Sequence, residues 1–226
     1  MLGYFGPAGT FTHQALLTFS GEEAVPFATV GQALDAVRSG AVESVLVPIE
    51  NSVEGGVSVT LDALASGRRL MIVREVLLPV QFNLYARQGT ALADVRRVLT
   101  HPHAAAQVRQ WLADHLPDAV VTEGGSTAAA AQAVADPDAK HDAAVCAQVA
   151  GELYGLAAVA TDIADNPSAV TRFVLVSRPA EPPTRTGADK TTLVAYMHTD
   201  RSGALLEILE QFSGRGVSLC RIESRP

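Results

Sequence analysis

Short apolar runs alternate with alanine-rich helical segments along most of this chain. Apolar runs of this length predict strands, and apolar positions at helical spacing predict the helices between them. Such alternation is typical of parallel sheets covered by helices, so the pattern favours an α/β fold. The predicted strands are 2–5, 44–49, 70–78, 80–86, 95–99, 119–121 and 143–146, and the predicted helices are 11–19, one that contains 33–37, 57–65, 103–115 and 126–135.

The segment 170–179, V-T-R-F-V-L-V-S-R-P, carries the most informative pattern. Its apolar run, 173–176, predicts a strand that is covered on both faces. Thr171 and Arg172 precede that run, at the place where an open α/β sheet usually meets its ligand. A cation beside a hydroxyl suits a carboxylate substrate. On these residues alone, an ordinary strand with a surface arginine explains the segment equally well.

Proline placement and a change of pattern divide the chain into lobes. A boundary near Pro79 and a return near 162–167 predict a first lobe of about 1–78 plus 166–178 and a second lobe of about 79–165. Two lobes joined by two crossings enclose a cleft, which is a common place for a small ligand.

The C-terminal part of the chain has a different organisation. Residues 179–190 are rich in proline and charge, which predicts a linker. A strand at 191–197, a helix at 203–212 capped by Ser202 and a strand at 217–222 are expected to follow. A ferredoxin-like module needs roughly twice that length, so the tail is expected to be half a domain.

Composition excludes several classes of protein. Hydrophobic residues make up 48% of the 226 positions and charged residues 18%, as in a folded soluble protein. The net charge of −7 and the absence of a basic run argue against a nucleic-acid partner. The chain shows no signal-peptide pattern and no apolar run of membrane-spanning length. Cys146 and Cys220 lack zinc-ligand spacing and are predicted to be reduced core thiols, which indicates a cytoplasmic protein.

The segment 6–12, G-P-A-G-T-F-T, joins a strand through a glycine turn to the start of a helix. Unpaired N–H groups at a helix N-terminus attract anions, so Gly9 and Thr10 are candidate ligand contacts. A turn with a helix cap, supplied by Thr10 or Thr12, explains the same residues.

The segment 47–56 is expected to end a buried strand at Pro48 and to continue as a polar loop. Asn51 and Ser52 can donate hydrogen bonds to an anion. Glu50 could act as a proton donor if burial raised its pKa. A polar turn ahead of a helix is the alternative.

The segment 99–111 ends a strand at Thr100 and begins a helix near Pro102. Gln107 follows His103 by one helical turn, so both can share one helix face. A metal site with two histidines is disfavoured because no third ligand has suitable spacing, and His101 is expected to be a loop residue without a role. No nucleophile–base pair and no dinucleotide fingerprint is evident, which points to chemistry without a cofactor, or to none.

These motifs, in this order, resemble those of the prephenate dehydratases. The matching pieces are G-P-A-G-T-F, P-I-E-N-S-V-E-G, T-H-P-H-A-A-A-Q and T-R-F-V-L-V, and G-A-L-L and E-S-R-P in the tail are similar to the regulatory ACT domain of that family. The resemblance implies an α/β fold with a two-lobed catalytic domain like a periplasmic binding protein at 1–178, a linker at 179–190 and a truncated ferredoxin-like ACT βαβ segment at 191–226.

The resemblance also implies an activity. Family members convert prephenate into phenylpyruvate, water and carbon dioxide on the route to phenylalanine, without a metal or another cofactor. It implies a cytoplasmic homodimer or homotetramer that phenylalanine regulates through the ACT domain. Because the tail matches only the first half of that domain, we expect either impaired phenylalanine sensing or a fragment of a longer protein. A non-catalytic binding module for an amino acid or organic acid is the alternative.

The resemblance assigns roles by position. The implied catalytic residues are Thr171, Arg172, Phe173, Glu50 and Asn51. The implied substrate-binding residues are Ser52, Thr100, Gln107, Gly9 and Thr10. The implied effector-binding residues are Gly203, Ala204, Leu205, Glu223, Ser224, Arg225 and Pro226.

Overall fold

A computed structural model describes residues 1–53, 55–197, 199 and 201–224. The chain divides into two units, Met1–Thr184 and Arg185–Pro226. In chain order the elements are β1 (Leu2–Phe5), α1 (Phe11–Leu17), β2 (Ala24–Phe27), α2 (Val30–Ser39), β3 (Ser44–Asn51), β4 (Gly55–Gly56), α3 (Ser58–Ala65), β5 (Met71–Pro79), β6 (Asn83–Ala86), a 3₁₀ turn (Leu92–Asp94), β7 (Arg97–Thr100), α4 (Pro102–Gln107), α5 (Arg109–His115), β8 (Val120–Glu123), α6 (Thr127–Ala135), β9 (Ala143–Cys146), α7 (Gln148–Leu153), β10 (Ala157–Ala160), β11 (Val170–Ser177) and α8 (Ala204–Ser213).

The first lobe is built on a sheet with the strand order β2-β1-β3-β11-β5, and β4 pairs with the end of β3. Strand β1 runs parallel to β2 and β3, whereas β11 runs antiparallel to β3 and β5. The reversed direction places the beginning of β11 beside the end of β3. Thr171 is therefore paired with Asn51, and Arg172 with Glu50.

The two faces of this sheet are buried in separate apolar clusters. Val45, Val47 and Val174 face one cluster, which α2 covers, and Leu46 and Phe173 face the other, which α1 covers. The alternation follows from the period of two along a strand. Every second residue of β11 thus belongs to the same side of the sheet. In β3 the pairing register shifts between Pro48 and Glu50, so Asn51 lies on the same side as Pro48.

The second lobe contains a sheet with the order β10-β6-β9-β7-β8. Strand β7 is parallel to β8 and β9, and β6 is antiparallel to β9 and β10. Helices α4 and α5 pack on one face, and α6 and α7 on the other. Leu84, Val98 and Val145 are fully buried in the core of this lobe.

Two adjacent connections join the lobes. The Val80 N–H donates to the Ala169 carbonyl at 2.8 Å, and the Ile163 N–H donates to the Phe82 carbonyl at 2.9 Å. The connection formed by 80–82 and the returning connection, 161–169, therefore lie side by side. Among the described residues, no helix has both the length and the apolar character needed to cross a bilayer.

The structure corrects several predictions about the first unit. Its sheets are mixed rather than parallel, because β11 and β6 each run against their neighbours. Strand β3 continues past Pro48 to Asn51, where β4 and β11 supply partners. The predicted helix 103–115 is broken into α4 and α5 at Val108. The short strands β2 and β10 were not predicted.

The second unit also differs from its prediction. Helix α8 is present, but the described residues of 191–197 and 217–222 form no strand. A strand needs a hydrogen-bonded neighbour, and the described tail supplies none. The cap of α8 is Gly203, which adopts the left-handed conformation (φ 87°) without a side-chain bond, so the prediction of Ser202 as the cap was wrong.

Candidate active site

A cleft of about 420 Å³ lies between the two lobes. The first lobe contributes the turn between β1 and α1, the end of β3 and the beginning of β11. The second lobe contributes the N-terminal ends of α4 and α6. The sequence-predicted residues that line the cleft are Thr10, Asn51, Gln107, Thr171 and Phe173.

Thr171 and Asn51 form the polar centre of the first-lobe wall. Their pairing across β11 and β3 brings the Asn51 Nδ2 within 2.8 Å of the Thr171 Oγ1. Thr171 is only 8% exposed, so little of its side chain contacts bulk solvent. Electrostatic effects on a bound ligand are stronger there than in open water.

The Asn51 amide has a fixed orientation. Its Oδ1 accepts the Val53 N–H at 2.8 Å, and a backbone N–H can only donate. The amide nitrogen must therefore face Thr171, and the Thr171 oxygen accepts that bond. The Thr171 hydroxyl proton makes no other hydrogen bond among the described residues, so it is available to a molecule in the cleft.

Three helices begin at the cleft. Their N-cap residues Thr10, His101 and Ser126 all line it. The cap side chains accept the N–H groups of His13 (3.4 Å), His103 (3.3 Å) and Ala129 (3.0 Å). Helix N-termini carry partial positive charge, so the cleft attracts anions through peptide dipoles.

The described part of the cleft wall is almost uncharged. The described residues that line it include no lysine, arginine, aspartate or glutamate; its titratable side chains are His101 and His103. The His101 Nδ1 accepts the backbone N–H of His103, so its ring is held in place in the wall. The prediction that His101 has no role is therefore not supported by its position in the wall.

An apolar wall faces these polar groups. Phe11 from α1 and Phe82 from the first connection meet edge to face, with ring centroids 5.3 Å apart. Both line the cleft with Phe173, which is otherwise packed in the first-lobe core. Such a wall suits a flat ring of a small ligand.

Arg172 and Glu50 lie on the opposite face of the sheet from the cleft. The Arg172 Nε contacts the Glu75 carboxylate at 2.5 Å, and its Nη1 lies 3.5 Å from Glu50. The strand period explains this for Arg172, because Thr171 and Phe173 point into the cleft and the residue between them must point away. For Glu50 the cause is the register shift of β3 after Pro48. The structure therefore does not bring the predicted cation Arg172, or the predicted proton donor Glu50, to the cleft.

Three further predicted contacts, Thr100, Ser52 and Gly9, do not line the cleft. Thr100 is fully buried, and its hydroxyl donates to the Val145 carbonyl at 2.8 Å. The Ser52 hydroxyl accepts the Val170 N–H at 2.9 Å and fastens β3 to β11. These two hydroxyls stabilise the strands behind the wall.

Gly9 shapes the turn that presents Thr10. It has φ of +85°, and an added Cβ would lie 3.2 Å from Ala150 and 3.3 Å from Ala128 in the second lobe. Its N–H donates to the His13 Nδ1 at 3.1 Å, and the His13 ring stacks on Tyr4. Burial lowers the pKa of His13, which is consistent with an accepting, neutral ring.

The cysteines have unlike environments. Cys146 is buried, and burial raises the pKa of its thiol to about 12, so it stays protonated and is a poor nucleophile. Cys220 is exposed, so its predicted place in a core was wrong. The described residues contain no group of three side chains that could hold a metal ion.

The predicted effector residues lie in the second unit. Gly203, Ala204 and Leu205 line a small depression with Met197 and Leu209. Glu223 forms an ion pair with Arg221 at 2.6 Å, and Ser224 is exposed. Arg225 and Pro226 lie outside the described residues.

Comparison with known proteins is consistent with this architecture. The family model for prephenate dehydratase matches residues 2–181. A prephenate dehydratase of Amycolatopsis methanolica is 50% identical over 228 residues, which span 100% of this chain and 73% of that protein. The crystal structure of a prephenate dehydratase from Arthrobacter aurescens in complex with L-Phe is 52% identical, with a TM-score of 0.93 over 100% of this chain and 75% of that one. A structure described as a quorum-quenching acylase, GqqA, is 29% identical with a TM-score of 0.82, over 100% of this chain and 81% of that one.

Proposed function

This chain belongs to the prephenate dehydratase family, and on that premise we propose that its cleft converts prephenate into phenylpyruvate, water and carbon dioxide. This reaction places the protein in phenylalanine biosynthesis. The observation that carries the assignment to the cleft is the Thr171–Asn51 pair, which presents a hydroxyl proton to an anion-attracting site whose described wall is nearly uncharged.

Prephenate determines what the cleft must do. The molecule carries a ring hydroxyl, a ring carboxylate and a side-chain carboxylate, and loss of the first two makes the ring aromatic. The driving force therefore lies within the substrate, and the protein has to orient it and stabilise the departing hydroxide. The cleft volume of about 420 Å³ falls within the range of small-molecule sites.

Thr171 is the proposed hydrogen-bond donor to the departing hydroxyl. The Asn51 amide donates to the Thr171 oxygen, which directs the remaining hydroxyl proton toward the cleft. A threonine hydroxyl is a weak acid, so its contribution is a bond that strengthens as negative charge grows on the leaving oxygen. Net proton delivery then takes place through water in the cleft.

The N-terminal ends of helices are the proposed binding site for the side-chain carboxylate. Ser126 and Thr127 begin α6 in the second-lobe wall, while Thr10 and His101 offer further polar contacts. The substrate ring lies against Phe11 and Phe82 in this arrangement.

The neutral wall also helps the ring carboxylate to leave. A fixed cation would stabilise that carboxylate most strongly in the ground state and so would oppose its loss as neutral carbon dioxide. The described wall contains no lysine or arginine. Placing Arg172 on the far side of the sheet separates its charge from the substrate.

Regulation and assembly extend the same proposal. The similar Arthrobacter aurescens structure is in complex with L-Phe, which supports phenylalanine as the effector of this chain as well. We assign effector binding to the second unit, around Gly203–Leu205. The homodimeric or homotetrameric state and the cytoplasmic location stay predictions.

Turnover separates this proposal from the alternative of a binding module. Purified protein is incubated with prephenate, and phenylpyruvate is measured over time. Protein-dependent formation of phenylpyruvate supports the enzyme, and saturable binding of prephenate without product would contradict it. The Thr171→Val variant is the matched control for product formed by contaminating enzymes.

A further inference from the structure

The helical segment that carries Gln107 is broken where its own sequence gives no reason for a break. Helix α4 ends at Gln107, Val108 has φ −123° and ψ 12°, and α5 begins at Arg109. Residues 103–115 contain neither proline nor glycine. Sharp helix breaks have identifiable causes, so the cause must come from elsewhere in the fold.

Asp165 supplies that cause. The backbone N–H of Gln110 donates to the Asp165 Oδ2 at 3.0 Å, and the backbone N–H of Trp111 donates to the Asp165 Oδ1 at 3.1 Å. The Gln107 carbonyl, which would accept the Trp111 N–H in an unbroken helix, accepts the Asp165 N–H instead at 2.8 Å. Asp165 is therefore inserted into the helical ladder through both its side chain and its backbone.

The carboxylate takes the place of a helix cap. Val108 precedes α5 and provides no side-chain hydrogen bond. The N–H groups of Gln110 and Trp111 are the second and third of α5, which a cap normally satisfies. Asp165 accepts both from the connection 161–169, the segment that returns the chain to the first lobe.

The break determines where Gln107 points. Gln107 is half-buried and lines the cleft, at the last position of α4. Continuation of the helix through Val108 would return the Gln107 carbonyl to Trp111 and change the orientation of this last turn. The side-chain amide would then be presented differently to the cleft.

We infer that Asp165 is a positioning residue for the reaction, and that it acts by holding open the α4–α5 break and thereby aiming the Gln107 amide at the substrate. The inference rests on the proposed function of the cleft. It assigns the connection 161–169 a second role: besides joining the lobes, it determines the orientation of Gln107 in the second-lobe wall of the cleft.

A double-mutant cycle tests whether Asp165 acts through Gln107. We expect Asp165→Ala and Gln107→Ala each to lower kcat/KM for prephenate by about tenfold. The double variant should lie within about twofold of Gln107→Ala, because the two changes remove one shared contribution. Asp165→Asn, which keeps one accepting oxygen, should fall between wild type and Asp165→Ala.

Asp142 offers a matched control. Its carboxylate also accepts two backbone N–H groups, those of Arg96 at 2.9 Å and Arg97 at 2.8 Å, and it does not line the cleft. Asp142→Ala should lose comparable hydrogen bonding and lower the melting temperature, yet keep kcat/KM within about twofold of wild type. A loss of activity equal to that of Asp165→Ala would overturn the inference.

Trp111 gives a readout that does not depend on turnover. It is the only tryptophan of the chain, and its backbone N–H is one of the two donors to the Asp165 carboxylate. Its ring stacks on His115, so a change at the break should shift the emission spectrum of Asp165→Ala and leave that of Asp142→Ala unchanged. A wild-type spectrum in Asp165→Ala would show that the carboxylate does not hold the break.

The outcomes separate this inference from the proposed function. Wild-type protein that forms no phenylpyruvate contradicts the proposed function, and the Trp111 spectra still decide the role of Asp165 at the break. Active wild type with a fully active Gln107→Ala variant overturns the inference alone. Losses in the double variant that multiply to about a hundredfold also overturn it, because they show independent action.

Discussion

The two faces of strand β11 have opposite chemistry. The cleft face presents Thr171 and Phe173, with Asn51 beside them on β3, and it is uncharged. The far face presents Arg172 between two carboxylates, those of Glu50 and Glu75. Adjacent residues of the T-R-F motif therefore have different roles. The neutral face provides the chemistry we propose, and the charged face holds three strands together behind it.

Removing the Thr171 hydroxyl should have the largest effect on the cleft face. Thr171→Val keeps the branched shape and buried volume, so the strand should remain folded. We expect kcat for prephenate to fall roughly 100- to 10,000-fold, with a smaller change in KM, because the lost bond is strongest in the transition state. Steady-state kinetics measures both constants.

Thr171→Ser is the control for that change. It retains the hydroxyl and the bond from Asn51, and most of the activity should survive. Equal losses in the serine and valine variants would assign the role of Thr171 to its methyl packing.

Changing the charge beside Thr171 should have the next largest effect. In Asn51→Asp, a carboxylate would accept the Thr171 proton that the amide now leaves available, and it would also repel an anionic substrate. We expect kcat/KM to fall by about 100-fold, which is more than for Asn51→Ala. An aspartate variant with higher activity than the alanine variant would contradict the orientation assigned to the Asn51 amide.

Breaking the ion pair on the far face should affect stability more than chemistry. Glu75→Gln leaves the partly buried Arg172 with a weaker partner, since the Arg172 side chain is 18% exposed and Glu50 is 3.5 Å away. We expect the free energy of unfolding to fall by about 1–3 kcal/mol, between the values for surface and buried pairs. Urea denaturation measures this loss.

The control for the far face is Glu43→Gln. Glu43 pairs with the N-terminal amine and is exposed, so its loss should change stability little. The kcat of Glu75→Gln should stay near wild type at a temperature where it is folded. A large loss of kcat in that variant would contradict the claim that the far face contributes to stability and not to the chemistry.

The smallest effect concerns His13, behind the cleft. Burial lowers the pKa of His13 in the folded protein below its ordinary value of 6.5. The unfolded chain therefore binds this proton first, and the contribution of neutral His13 to stability is present above pH 6.5 and is lost as the pH falls below it. Between about pH 7.5 and about pH 5.5, wild type should lose more stability than His13→Gln. Identical pH dependence in both proteins would contradict this.

The sequence predicts strands well where burial is continuous. Strands β3 and β11 are apolar runs, and both were predicted, because a strand covered on two faces has a local signal. Strands β2 and β10 were not, because Pro26 interrupts the short apolar run of β2 and β10 is mostly alanine, a weak β-forming residue. Their pairing with longer neighbours determines their structure.

The candidate site was predicted only in part, for reasons of geometry. Thr171 and Asn51 are brought together as expected, but a motif does not reveal which face of a strand each residue occupies. Arg172 was expected in the cleft because it adjoins Thr171, and the strand period places it on the other side. The break after Gln107 depends on Asp165, which is 55 residues beyond Gln110, so no local pattern could show it.

The most direct test compares one residue from each face in a single turnover. Wild type, Thr171→Val and Arg172→Gln, each in excess over prephenate, are mixed with substrate below their melting temperatures, and the rate of phenylpyruvate formation is measured. We predict that the rate collapses in Thr171→Val and stays within about tenfold of wild type in Arg172→Gln. A near-normal rate in Thr171→Val, or a collapse only in Arg172→Gln, would contradict the neutral face as the site of the chemistry.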